Sequence, residues 1–358
     1  MPASAVPPLP SATAQNVESR GDGLGECAGP LAQAYDAGLY DLDGVLYLGE
    51  DEVAHASTAV AAARALGLRA AFVTNNASRL PAAVAAHLTL LGIPATAEDV
   101  VTSGQAAVRE VARRLPGQTG ALVLVVGTEA LCDLVRAGGF TPVRTAGPGV
   151  VAVVQGLAPS TAWTDLAEAA IAIRAGALWV AGNRDSTYPS ARGPLPGNGA
   201  LVAALELATG CTPVVVGKPA PALHRESVER VGALRPLMIG DRLDTDILGA
   251  IAGGADSLLV LTGVTDLAQL LACPAGERPT FVAADLRALL LAHPPVAVAP
   301  DQARCGSARA VWAGGRWVTE GSGVELLRAL CAAAWSAGLP AEALGSPALV
   351  DLEAAVAR

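Results

Sequence analysis

Tyr40-Asp41-Leu42-Asp43-Gly44-Val45-Leu46-Tyr47 closes the short apolar run Ala37–Tyr40, and its reading decides the rest of the chain. Asp41 and Asp43 are separated by one residue at the end of an expected strand, so both carboxylates can face one pocket. Gly44 lets the backbone turn sharply just after them. Two carboxylates held side by side repel each other unless they share a cation. A hard divalent ion suits them, since Mg2+ takes carboxylate and carbonyl oxygens and keeps waters that a phosphorylated substrate can displace. An aspartate-rich turn at a strand end is the alternative reading of the same residues.

The pattern of an apolar run ending in polar side chains recurs downstream. In Phe72-Val73-Thr74-Asn75-Asn76-Ala77-Ser78 a hydroxyl and the N–H groups after it can hold phosphate oxygens where a helix begins. Asn75, Asn76 and Ser78 also read as cap and turn residues. Val216-Gly217-Lys218-Pro219 is not a P-loop, because Pro219 stands where Ser or Thr is needed. Lys218 at a strand end can still neutralise phosphate charge, or it can be a solvated surface lysine. In Met238-Ile239-Gly240-Asp241-Arg242-Leu243-Asp244-Thr245-Asp246, Asp241 is placed to bind metal and Asp246 to orient a ligand from behind it. An acidic helix N-terminus is the other reading of that stretch.

Short apolar runs alternate with Ala/Leu-rich helical stretches along the chain, which predicts an α/β fold of parallel strands joined by crossover helices. Strands are expected at 37–40, 70–74, 121–126, 149–154, 178–181, 213–216, 236–239 and 257–261. Their polar ends matter because ligands of open parallel sheets bind beyond the carboxyl ends of the strands. After Pro294 the character changes. Ala313-Gly314-Gly315, flanked by Trp312 and Trp317, predicts a hairpin, and a helix is expected from about Val324 to Ala337. Its apolar stripe either covers the molecule's own core or meets a partner subunit. Met1 to about Pro30, rich in Pro, Ala, Ser and Gly, reads as a disordered tail rather than a signal peptide.

Of 358 residues, 52% are hydrophobic and 16% charged, enough for a large core. Aromatics are only 3%, so that core is built from Ala, Val and Leu. Lys and Arg total 24 against 33 Asp and Glu, a formal charge of −9 that argues against bulk binding to nucleic acid or anionic membranes. No run approaches the roughly 20 apolar residues of a membrane span. Six scattered cysteines without a C-x-x-C pair read as reduced thiols and predict a cytoplasmic protein. Cys132 and Cys211 read as small core fillers. The four histidines are isolated and are expected on the surface or on helices, with no catalytic role.

The order D-x-D-G-V, Thr after an apolar strand, Gly-Lys-Pro, then Gly-Asp-x-x-x-x-Asp resembles the phosphatase branch of the haloacid dehalogenase superfamily. DLDGVLY, FVTNNASR, VVTSGQAA, PGNG, VVGKPAP and IGDRLDTDI look like its NagD and p-nitrophenyl-phosphatase subfamily. LAEAAIAIRAGALWVAGN, LPGNGALVAAL and GDRLDTDILGA are similar to the high-GC bacterial glycerol 3-phosphate phosphatases within it. The resemblance covers about residues 35–290. It implies a doubly wound Rossmann-like core at 35–103 and 197–295 with an inserted α/β cap at 104–196; on composition, 1–34 reads as a disordered tail and 296–358 as an appended module. It further implies Asp41 as nucleophile forming an aspartyl phosphate, and Asp43 as acid and then base. Mg2+ would be held by Asp41, the Asp43 carbonyl and Asp241, with Asp246 in support. Thr74 and the Asn75 amide would bind the phosphoryl group and Lys218 would offset its charge.

Substrate choice is expected in the cap, where Asn183, Arg184 and Asp185 can recognise the hydroxyls of a small polyol phosphate, or else form a solvated turn. Gly197 and Gly199 read as a hinge between cap and core or as plain turn glycines. The resulting expectation is a Mg2+-dependent phosphatase of a small-molecule phosphate ester, glycerol 3-phosphate first, able to form a homo-oligomer through the cap or the C-terminal module. Nucleotide, sugar phosphate, phosphoglycolate and pyridoxal phosphate are competing substrates. A phosphotransferase or mutase, and a binding protein with a vestigial core, are the other classes.

Overall fold

The computed structural model describes residues 23–188, 192–338 and 348–357. Six parallel strands form the first sheet, in the order Phe281–Ala283, Asp256–Val260, Pro236–Gly240, Ala37–Tyr40, Arg69–Thr74 and Val100–Thr102. Ala37–Tyr40 is buried at all four positions, as a central parallel strand covered on both faces must be. It pairs with Arg69–Thr74 on one side and Pro236–Gly240 on the other, so the chain winds outward in both directions from this strand. Helices Pro81–Leu90 and Pro221–Val231 each begin with proline in the first turn, where its missing N–H costs nothing. Helix Ser103–Arg114 opens on a capping box between Thr102 and Gln105.

A second parallel sheet runs Val214–Val215, Leu178–Ala181, Val150–Gln155, Leu122–Val126 and Thr141–Val143. Its membership departs from the expected boundary at 196. Helix Asn198–Thr209 packs Val202 and Leu205 into the apolar cluster of this sheet, and Val214–Val215 is its edge strand. The chain therefore returns to the first sheet only around Val216. Gly197 and Gly199 lie where two stretches of main chain approach closely. A Cβ on Gly197 would lie 2.3 Å from the Asp185 carbonyl oxygen, and one on Gly199 would lie 2.2 Å from that of Arg184. These glycines permit close main-chain packing.

The chain after Pro295 forms a four-stranded antiparallel meander, Val296–Ala299, Gln302–Cys305, Ala308–Ala313 and Arg316–Glu320, crossed by helix Gly323–Ala337. Trp312 faces Trp317 across the hairpin with ring centroids 5.1 Å apart. The module is not merely appended. Leu326, Leu327 and Leu330 share one cluster with Leu259, Leu267 and Val282 of the main sheet region, so the helix stripe covers the molecule's own core.

Residues 25–34, expected as part of a loose tail, are tied down. Cys27 exchanges main-chain hydrogen bonds with His293, and Leu31 and Ala32 are fully buried. The tail residues 1–22 lie outside the described residues. All six cysteines are unpaired, and Cys132 is buried. Cys211 is exposed, a correction to its reading as core filler, because it follows the C-terminus of helix Asn198–Thr209 on the outer face. His293 is likewise neither on the surface nor on a helix, but fully buried beside Arg328. No helix among the described residues is long and apolar enough to cross a membrane.

Candidate active site

Strand register brings the chemistry together. Tyr40 is level with Phe72 and with Ile239 on the flanking strands, so Asp41, Thr74 and Asp241 all emerge at the carboxyl ends of three neighbouring strands. Side chains can gather there because the hydrogen-bond ladder has ended and loops diverge around the point where the winding reverses. The residues border a cavity of about 600 Å³, also lined by Asp43, Asn75, Asn183, Asp185 and Lys218.

Lys218 is buried and pairs with Asp41, while Asp246 approaches the same ammonium at 2.7 Å. Carboxylate oxygens of Asp41, Asp241 and Asp246 all lie within 4.8 Å of one another. Three buried carboxylates against one ammonium leave an excess of negative charge. Burial pushes the Asp41 carboxyl well above the usual range, with Lys218 opposing and the two neighbouring aspartates reinforcing the shift. Asp241 is pushed up to about 6 by burial and by Asp246. Lys218 is held above its ordinary value because the two carboxylates outweigh its own burial.

Asp241 is positioned by a loop that the sequence reading passed over. Val264 N–H donates to Asp241 Oδ2 at 2.6 Å, while Oδ1 is buried without a hydrogen-bond partner among the described residues. A Cβ on Gly263 would lie 2.0 Å from Asp241 Oδ2, and one on Gly44 would lie 2.5 Å from it, so both glycines close over this carboxylate. Thr262 Oγ1 donates to the Gly44 carbonyl at 2.6 Å and locks the two loops together. The signal was present: Leu261-Thr262-Gly263 follows an apolar strand as Thr74 does.

Asn75 does more and differently than expected. Its side-chain oxygen accepts from Lys218 N–H at 2.7 Å, and its Nδ2 donates to the Lys218 carbonyl at 3.1 Å and to Asp185 Oδ1 at 3.3 Å. That carboxamide is thus committed to holding the Lys218 backbone, which leaves the Asn75 main-chain N–H as the group expected to meet a phosphoryl oxygen. Gly217 makes room for it, since a Cβ there would lie 2.6 Å from Asn75 Oδ1. The Asn75 carbonyl accepts from Asn183 Nδ2 at 2.7 Å, so Asn183 is a buried brace. Asp185 lines the cavity, and Arg184 does not: its guanidinium pairs with Glu206 on helix Asn198–Thr209. Thr74 Oγ1 accepts from Asn76 N–H at 3.1 Å, which leaves its own proton to donate. Asp43 is exposed within the cavity, and its carboxyl is raised by desolvation against the opposing charges of Lys218, Arg79 and His87.

A family model described as haloacid dehalogenase-like hydrolase matches residues 38–141, and a HAD-hydrolase-like model matches residues 215–289. The D-glycerol 3-phosphate phosphatase of Mycobacterium tuberculosis is 48% identical over 316 residues, 86% of this chain and 88% of that protein. The chain belongs to the haloacid dehalogenase-like hydrolases. The 5'-nucleotidase YutF of Bacillus subtilis is 37% identical over 235 residues, 65% of this chain and 90% of its own length. The crystal structure of the M. tuberculosis glycerol phosphate phosphatase in complex with magnesium superposes with a TM-score of 0.76 at 47% identity, covering 86% of this chain and 92% of that one. The family match stops at 141 and resumes at 215, which parallels the return of the chain to the first sheet near Val216.

Proposed function

We propose that this hydrolase is a Mg2+-dependent phosphatase that converts glycerol 3-phosphate and water to glycerol and phosphate. The observation that carries the reaction class is the convergence of Asp41, Asp43, Thr74, Lys218 and Asp241 on one cavity. The substrate is supported by the 48% identity to the mycobacterial glycerol 3-phosphate phosphatase over most of both chains.

The residues fit the metal, since Asp241 Oδ1 is buried without a partner and the carboxylates outnumber the cations beside them. Asp41 and Asp241, with the Asp43 carbonyl, would hold Mg2+, which when bound supplies positive charge to the phosphoryl oxygens. Asp246 supports from its pairing with Lys218.

Asp41 attacks phosphorus, forming an O–P bond as the ester P–O bond breaks. Asp43, whose carboxyl is raised and therefore retains a proton more readily, gives that proton to the leaving alkoxide. The same carboxylate next takes a proton from the water that cleaves the aspartyl phosphate, and Asp41 is regenerated. Lys218 and Thr74 hold the phosphoryl oxygens in line, which is where most of the rate enhancement of phosphoryl transfer arises.

The cavity volume favours one second reading. About 600 Å³ admits leaving groups larger than glycerol, and the B. subtilis relative is named a 5'-nucleotidase. Phosphate release from glycerol 3-phosphate, nucleoside monophosphates, sugar phosphates, phosphoglycolate and pyridoxal phosphate, compared by kcat/KM, separates the two. Glycerol 3-phosphate is expected to lead; a nucleotide ahead of it by tenfold overturns the substrate assignment. The unpaired cysteines and the small-molecule substrate support a cytoplasmic location.

A further inference from the structure

Several polar side chains of the cavity have no part in the chemistry above. Tyr47, Glu50 and Arg79 come from the two loops that follow the first two strands of the main sheet. Arg79 is exposed, lines the cavity and makes no ion pair or hydrogen bond among the described residues. The other two cations bordering the cavity each have carboxylate partners. Lys218 pairs with Asp41 and Asp246, and Arg242 grips Asp244 through two hydrogen bonds of 3.0 and 2.7 Å. Among the described residues Arg79 is therefore the cavity-lining cation without a carboxylate partner.

Its place relative to the reaction follows from Asp43. The phosphoryl group sits over Asp41, whereas Asp43 must touch the leaving oxygen, so groups around Asp43 surround the leaving alcohol. Arg79 lines the cavity together with Asp43 and Tyr47, and its charge opposes the rise of the Asp43 carboxyl. Tyr47 is fixed beside Asp43 by the tight turn in which Gly44 N–H donates to the Tyr47 carbonyl at 2.8 Å. The ring of His87 packs edge-on against Tyr47, 4.9 Å between centroids, and holds it from behind.

The mixed charge of this end defines what it accepts. Glu50 and Asp185 line the same cavity, so a leaving group carrying a second anion would meet carboxylates as well as Arg79. A neutral alcohol with further hydroxyls meets no such penalty. Its oxygens can accept from the guanidinium, and each hydroxyl can both donate to and accept from the phenol.

We propose that Arg79 and Tyr47 recognise the hydroxyls of the leaving alcohol, so that substrate choice is made partly by core loops and not by the cap alone. The inference rests on the reading of the protein as a phosphatase of a small hydroxylated ester.

The test compares glycerol 3-phosphate with p-nitrophenyl phosphate, whose leaving group offers no hydroxyl beyond the ester oxygen, in the presence of Mg2+. In Arg79→Gln the ratio of the two kcat/KM values is expected to fall at least tenfold, chiefly through KM for glycerol 3-phosphate. Arg79→Lys, which keeps charge but not the fork, is expected to recover part of the loss, and Tyr47→Phe to lower the ratio severalfold. A ratio within twofold of wild type in both Arg79→Gln and Tyr47→Phe overturns the proposal and assigns Arg79 to the phosphoryl group or to bulk attraction. Wild-type turnover of p-nitrophenyl phosphate without glycerol 3-phosphate defeats the substrate assignment alone. The best hydroxylated ester then replaces glycerol 3-phosphate in the ratio, and the same thresholds decide.

Discussion

Asp41 carries its role through position as much as chemistry: it is the first residue past a strand buried on both faces, and Lys218 and Asp246 crowd it from one side. Asp41→Asn keeps the volume and removes the proposed nucleophile, so phosphate release is expected to fall at least about a thousandfold. Far-UV dichroism should stay unchanged. Asn75 acts through Lys218, which it holds by both main-chain N–H and carbonyl. Asn75→Ala is expected to lower kcat about tenfold or more, in line with the loss of one or two buried hydrogen bonds at a positioning residue. A rate within twofold of wild type would show that the proline-bounded loop places Lys218 unaided. Gly263 has a single permitted size. A methyl group there must displace Asp241, so Gly263→Ala is expected to raise the Mg2+ concentration for half-maximal rate roughly tenfold or more, read by metal titration.

At the scale of elements, helix Gly323–Ala337 carries the largest fully buried side chain among the described residues, Arg328. Its Nη2 donates to the Gly25 carbonyl at 2.7 Å and to the Pro294 carbonyl at 2.9 Å, tying the N-terminal segment to the start of the meander. Arg328→Ala removes those bonds and leaves a cavity, so a loss of about 3 kcal/mol in urea unfolding is expected. His293 sits against this guanidinium. Its Nε2 lies 3.1 Å from the Ala288 carbonyl, an acceptor, which assigns the ring proton to Nε2 and leaves Nδ1 toward Arg328. Burial and the Arg328 charge push His293 down to about 3. The unfolded chain binds that proton near pH 6.5, so the stability contributed by the neutral ring is present above about pH 6.5 and is lost as pH falls toward 3. His293→Gln is expected to flatten the decline of unfolding free energy within that window. An unchanged slope would place the acid sensitivity elsewhere.

For the whole molecule, the shared apolar cluster decides what can be separated. Removal of residues 296–358 strips Leu326, Leu327 and Leu330 from Leu259, Leu267 and Val282, so the truncated chain is expected to lose most of its soluble yield rather than survive as an active core. The polar strand ends, the four charged motifs and the terminal hairpin were legible in the sequence, because each is a local pattern: an apolar run, then a residue type with a particular chemistry. The return to the first sheet near Val216 was not, because Val214–Val215 is too short to declare which sheet it joins. Nor was the burial of Cys27, whose main-chain partner His293 lies more than 200 residues away. Arg184 and Asn183 looked alike as hydrogen-bonding loop residues. Only packing sent one to Glu206 and the other beneath Asn75. By itself the sequence determined the fold class, since strand periodicity is a local property, and through the resemblance of its motifs the reaction type; the residues proposed to carry that reaction stand in the same local patterns. Tertiary structure alone decided that Gly263 and Val264 shape the Asp241 site, that Asn75 serves Lys218, and that Arg79 is left without a carboxylate partner among the described residues. Those facts depend on which loops meet at the strand ends, and no spacing along the chain encodes them.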